Sequence, residues 1–436
     1  MPDTHFALKP IPSLAWKHIS SKLVPLVAVL GLLFTTGQTA VAQTFTVLYS
    51  FNGGGGGNLP DSGLILDAEG NLYGETEQGG AHYNGTVFRL TPGGTETVLY
   101  NFSPGWSAQP GGGLVRNAKG NLYGTDSGGY PRYSGAVFEL LAKGKKLVLK
   151  PLYRFSEQDR ASGATPSSGP LVMDAKGNLY GTTYYGGNPS CYDGINYGCG
   201  VVFEITASGT EKVLYAFSGG TDGANPQGGV IFDAEGNLYG TASQGGYSPN
   251  CPWPSIGCGT VFKLTPHGSL TVLHSFSGQG PDGAKPQGGV IFDAEGNLYG
   301  TTLFGGGIQD QRNCNVVWFC GTVFKLTPDG TESLLHSFGA VGDGALPQAG
   351  LVMDSQGNLY GTTPDGGAYG LDGGGTVFEL TPSGTETVLH SFCSQPHCTD
   401  GRGPTSPLVL DALGNLYGTT QGGGAYSEGT VFELTP

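Results

Sequence analysis

The chain has 436 residues, of which 80 are Gly and 28 are Pro, and only 12% are charged. A formal net charge of −14 excludes the cationic footprint that binding to nucleic acid or to an anionic membrane surface requires. Regular β-branched and aromatic runs between the glycines supply a core to bury, which excludes a disordered chain of the same composition.

Residues 1–42 read as a secretory signal. Lys9, Lys17 and Lys22 form a basic segment, Leu23 to Phe34 is an apolar run too short to span a bilayer comfortably, and Ala40-Val41-Ala42 supplies small residues for cleavage. No Cys precedes Cys191, which disfavours a lipid-modified N-terminus. Removing this segment, with Lys9, Lys17, Lys22 and Asp3, leaves 17 basic against 33 acidic groups, a net −16. The expectation is a secreted or periplasmic protein with no transmembrane segment in the mature chain, residues 43–436 forming a single domain.

The pentapeptide Gly-Asn-Leu-Tyr-Gly begins at Gly70, Gly120, Gly177, Gly236, Gly296, Gly357 and Gly414, at steps of about 50 to about 61 residues. The fifth copy shows the unit. Gly289 to Asp293 predicts strand a and Leu298 to Thr302 strand b, joined by a tight turn that Asp293 caps and in which Gly296 turns left-handed. Gly321 to Leu326 alternates as strand c, Thr327-Pro328-Asp329-Gly330 is a second tight turn, and Glu332 to Phe338 is strand d. Four antiparallel strands in seven copies predict an all-β, seven-bladed propeller. Thr46 to Phe51 matches strand d, whereas the last copy stops after strand c at Pro436, so the N-terminal strand is expected to complete the last blade and close the ring. The second copy departs most: its c–d connection, Leu140 to Lys146, reads as a longer protruding hairpin with a solvated Lys tip.

The units DAEGNLYGTT, GTVFKLTPDGTE and TVLHSF resemble the GloVer (Gloeo/Verruco) repeat of exported bacterial tandem-repeat proteins, over nearly all of the mature chain. The a–b hairpin is more loosely similar to that of NHL-type propellers. The resemblance implies export and a repeat scaffold; it brings no reaction, cofactor or catalytic residue. Many members carry a C-terminal surface-sorting tail, which is absent after Pro436, so free secretion is expected.

Strand direction puts the a–b and c–d turns on one face and the b–c and d–a loops on the other. The latter hold most of the length variation, so they are the candidate binding surface. All eight cysteines fall there, as Cys191/Cys199, Cys251/Cys258, Cys314/Cys320 and Cys393/Cys398. Pairing within each loop is the simplest of the connectivities and suits an exported protein; zinc is disfavoured because only His397 lies between a pair. The same loops carry aromatics outside the repeat: Tyr184, Tyr185, Tyr192, Tyr197, Tyr247, Trp253, Phe304, Trp318 and Phe319. These are the ligand-binding candidates, stacking on sugar rings or anchoring a protein partner; the alternative is that they pack over the disulfides. Asp222, Asp282, Asp343 and Asp400 recur in d–a loops, where turn capping is favoured over a calcium ring. His274, His336 and His390 stand where other copies have Tyr and read as structural.

No Ser/His/Asp or paired-carboxylate arrangement is legible, and the positions nearest the axis read as Gly, Pro and apolar residues. The leading expectation is a monomeric, non-enzymatic binding propeller for an extracellular glycan or protein, without cofactor or metal. The alternatives are a hydrolase or lyase acting on sugars or lactones at the central channel, and a purely structural envelope component.

Overall fold

The computed structural model describes residues 43–435 except 104–108, 129–134, 144–145, 157–159, 168, 192–197, 248–250, 252–255, 280, 307–319 and 371–372. The signal-sequence expectation lies outside the described residues. The chain forms seven blades of antiparallel strands in the order a-b-c-d. In blade 5 these are Ile291–Phe292, Leu298–Thr302, Thr322–Leu326 and Glu332–Ser337. Blade 7 consists of Val409–Leu410, Leu416–Thr420 and Thr430–Thr435, and its fourth strand is the N-terminal Thr44–Ser50. Thr44 faces Thr435 and Ser50 faces Thr430, so the ring closes through the first strand of the domain as the complementary ends require. Blade 2 carries the expected long hairpin, with strands Ala136–Lys143 and Lys146–Arg154. Blade 3 adds a short strand, Ala164–Pro166, on strand b.

One aromatic contact repeats at every seam. The Phe that ends strand d of one blade meets, edge to face, the strand-c Phe of the next: Phe102 meets Phe138, Phe276 meets Phe324 and Phe392 meets Phe432, with centroids 5.2–5.4 Å apart. Phe51 and Phe88 make the same contact at 5.2 Å across the closing seam. Each such pair contributes roughly 0.5–1.5 kcal/mol beyond the area it buries. Hydroxyls add a second tie: Thr241, Thr301 and Thr362 donate to the carbonyls of Gly288, Ala349 and Ser406 in the following blade at 2.9, 2.9 and 3.1 Å.

The Gly-Asn-Leu-Tyr-Gly unit serves this scaffold. Asp293 Oδ1 accepts from the N–H groups of Glu295 and Asn297, and Oδ2 from the Asn297 amide and the Tyr299 hydroxyl. Gly296 has φ +82°, the left-handed value the turn needs. The last Gly of the unit leaves room for a ring: a Cβ on Gly300 would lie 2.7 Å from Cζ of Phe324, its partner in the same blade. The close approach that requires this glycine is to the phenylalanine of its own blade. In blade 2, Asn117 replaces the Asp, and Glu139 receives the Tyr123 hydroxyl at 2.8 Å instead.

Candidate functional site

The face carrying the b–c and d–a loops is tied down within each blade. Residues leading into strand a pair antiparallel with the start of the b–c loop, as Gly283 with Gly305, Gly344 with Gly366, and Ala224 with Gln244. These bridges extend strand b past the sheet and hold both loops of a blade together.

Four tyrosines stand on this face. Among the described residues, the exposed tyrosines are Tyr83 (78%), Tyr247 (73%), Tyr369 (56%) and Tyr426 (62%), and all four sit in b–c loops, those of blades 1, 4, 6 and 7. Each follows a Gly-Gly pair. In three of the blades the residue after that pair donates its N–H to a side chain at the end of strand d: Ala81 to Asn101 Oδ1 at 2.7 Å, Ala368 to Ser391 Oγ and Ala425 to Ser50 Oγ at 3.2 Å. The loop is thereby pinned immediately before the outward ring. Three of these tyrosines were missed in the sequence because the signal, Gly-Gly-Ala-(His)-Tyr, is short and lies beside the far stronger pentapeptide.

The expected aromatics divide differently. Tyr247 is exposed, whereas Tyr184, Tyr185 and Phe304 are half-buried. Tyr184 and Tyr185 meet edge to face, the Tyr184 hydroxyl accepts from Gln244 Nε2 at 3.1 Å, and Phe304 packs into the cluster that holds Cys251 and Cys258. Tyr192, Tyr197, Trp253, Trp318 and Phe319 lie outside the described residues. Disulfides join Cys191 to Cys199, Cys251 to Cys258 and Cys393 to Cys398. Cys320 is disulfide-bonded as well; Cys314 lies outside the described residues. Cys199, Cys251, Cys258 and Cys320 are buried, so these bonds carry the core up into the loops.

The recurring aspartates cap the end of strand d. Asp282 accepts from the Ser277 N–H and hydroxyl, Asp400 likewise from Ser394, and Asp343 from the Gly339 N–H. Each also meets the ring of strand d: the Tyr215 hydroxyl donates to Asp222 at 2.9 Å, and His274, His336 and His390 lie 3.3, 3.1 and 3.3 Å from Asp282, Asp343 and Asp400. Burial lowers the His390 pKa, and the charge and hydrogen bond of Asp400 oppose it.

On the axis, the d–a loops enclose a cavity of about 380 Å³ whose lining includes Gln227, Gln287, Gln348, Asp61 and Thr405 above Leu64 and Val290. The expectation of only Gly, Pro and apolar residues at the axis is therefore corrected: in five of the loops the residue after the Pro lines the cavity, and in all five it is polar. Burial raises the Asp61 pKa against hydrogen bonds from Thr405 and Gln421. A second asymmetry lies behind the cavity wall. Glu75 stands where the other copies have Thr, is 1% exposed, and accepts from the Gly113 N–H at 3.2 Å. Burial, reinforced by Asp126, pushes its carboxyl up to about 8, and burial pushes Asp126 up to about 6.

The repeat described as the Gloeobacter/Verrucomicrobia repeat matches residues 29–253 and 254–436. No curated protein sequence matches. Among solved structures, the extracellular domain assigned to a hybrid two-component system of B. thetaiotaomicron is 13% identical with a TM-score of 0.53, covering 90% of this chain and 41% of the other. A bacterial surface component of the type-IX secretion system of Porphyromonas gingivalis is 15% identical with a TM-score of 0.50, covering 88% and 47%. A gluconolactonase of Xanthomonas campestris is 15% identical with a TM-score of 0.42, covering 90% and 89%. The chain spans less than half the length of the first two. At such identities the likeness shows the fold alone.

Proposed function

The chain belongs to the Gloeobacter/Verrucomicrobia repeat family, and we propose that it is an exported, non-catalytic binding propeller whose ligand lies across the b–c and d–a loop face. The observation that carries this reading is the placement of four exposed tyrosines on one face, three of them on loops pinned to strand d. A ring held in place loses little freedom when it binds, so its buried area goes largely into affinity. Tyrosine offers an apolar face for the C–H side of a pyranose and a hydroxyl at its edge. The ligand class this fits best is an uncharged extracellular glycan, because the acidic balance of the chain repels polyanions. Screening the exported chain on glycan and protein arrays tests this. Binding without turnover, lost when Tyr83, Tyr247, Tyr369 and Tyr426 are replaced together by Ala, is the expected outcome; product formation with no such loss would refute it.

A second reading, hydrolysis or elimination of a sugar or lactone in the channel, rests on Asp61, a half-buried carboxyl with raised pKa at the cavity. It requires turnover that Asp61→Asn abolishes.

A further inference from the structure

The seams between the outer strands bring a side chain of one blade to the His–Asp pair of another. The c–d turns of blades 1, 3, 4, 5 and 6 pack against strand d of the preceding blade; a Cβ on Gly384, for example, would lie 3.1 Å from the Leu335 carbonyl oxygen. This brings the first residue of strand d onto the His–Asp pair of the blade before it. At the seam of blades 5 and 6 that residue is Glu386, facing His336 and Asp343. One ligand atom from each of the three lies within 4.8 Å of the others. His336 Nε2 and Asp343 Oδ2 are 3.1 Å apart, close to the separation of two ligands on a tetrahedral zinc with bonds of about 2.0–2.2 Å. The Asp343 side chain is 5% exposed and is fixed by the N–H groups of Gly339 and Gly344. Glu386 Oε1 is fully buried and has no hydrogen-bond partner among the described residues. Two carboxyls thus converge in a partly buried seam where, among the described residues, neither is ion-paired with a Lys or Arg.

We propose that His336, Asp343 and Glu386 form a zinc site that ties blade 5 to blade 6, with water completing four-coordination. The donor set of one imidazole nitrogen and two carboxylate oxygens selects a borderline first-row ion over calcium, which takes six or more oxygens. Neighbouring seams show how the site is lost. At the seam of blades 6 and 7, Phe45 occupies the glutamate position and stacks on His390 with centroids 3.7 Å apart. At the seam of blades 3 and 4 the histidine position is Tyr215 and the glutamate position is Leu270. His274, Asp282 and Glu332 repeat the residue types between blades 4 and 5, but among the described residues only the His336 seam brings all three atoms this close.

The test is zinc titration of the chelator-stripped exported chain by calorimetry, with Tm read in parallel. The expected result is one zinc per chain and a higher Tm with zinc than with calcium. Glu386→Gln should weaken zinc at least tenfold while leaving the metal-free Tm within about 2 °C. Glu332→Gln, at the adjacent seam, should leave affinity and stoichiometry as they are. Absence of zinc binding, a response to calcium with none to zinc, or equal affinity in the wild type and Glu386→Gln would overturn the proposal.

Discussion

At the residue scale, one side chain exchanged for another decides what a seam can do. Six copies place Thr at the fourth position of strand b, and several of these hydroxyls donate to a carbonyl of the next blade. Glu75 takes that position in blade 1. Its folded pKa of about 8 lies above the ordinary carboxyl value of 4.5, so the folded protein holds the proton more tightly than the unfolded chain. The associated stability is fully present below pH 4.5 and is lost as pH rises through about 8. Glu75→Gln, which keeps the shape and removes the titration, should therefore raise Tm by roughly a few degrees at pH 9 and change it little at pH 5. A Tm difference that does not depend on pH would refute this. The turn aspartates run the opposite way. Burial acts to raise the pKa of Asp293, but hydrogen bonds from Asn297, Tyr299 and the backbone outweigh it and hold it below the usual carboxylate range. The stability these bonds contribute is present above the unfolded pKa and is lost as pH falls through the lower folded value. Asp293→Ala should cost about 1–2 kcal/mol in denaturant titration at pH 7, a difference that shrinks on acidification. The Thr-to-Glu exchange is visible in the sequence as Gly-Glu-Thr against Gly-Thr-Thr. Its meaning is not, because only the strand register shows that the side chain points into a seam.

At the scale of elements, strands b, c and d were legible from period-2 alternation and tight-turn chemistry, and so was the closing strand. Thr44–Ser50 carries Phe45, and Phe51 follows directly; these rings pack on His390, Phe392 and Phe432 on one side and on Phe88 on the other. Deleting residues 43–51 should open the ring between blades 7 and 1 and lower Tm by more than 10 °C. An unchanged Tm would contradict closure by this strand. The bridges between the d–a and b–c loops escaped the sequence because single backbone pairs leave no side-chain periodicity to read. They also bear on the disulfides. Since the loops are already held by backbone pairing, each disulfide should add only about 2 kcal/mol. Reduction should then speed proteolysis within the Cys191–Cys199, Cys251–Cys258 and Cys393–Cys398 loops while the blades stay folded, as limited digestion with peptide mapping would show. Global unfolding on reduction would assign these bonds a larger role.

For the whole molecule, seven pentapeptides fix seven blades, and strand direction divides the loops between two faces. The face proposed for binding was identified by elimination, as the place where the copies differ. Three of its four exposed tyrosines, however, recur: Tyr83, Tyr369 and Tyr426 follow nearly the same Gly-Gly-Ala sequence. Variation marked the loops that are stapled by cysteines, and a second, weaker repeat marked the tyrosines. The opposite face provides an internal control, because Leu413 is 86% exposed in an a–b turn there. The most direct measurement is the affinity of the array-selected ligand for three proteins: the wild type, the fourfold Tyr-to-Ala variant, and Leu413→Ala. The account predicts a loss of at least tenfold for the first variant at unchanged Tm, and wild-type affinity for the second. Equal affinity in all three, or a loss confined to Leu413→Ala, would contradict it.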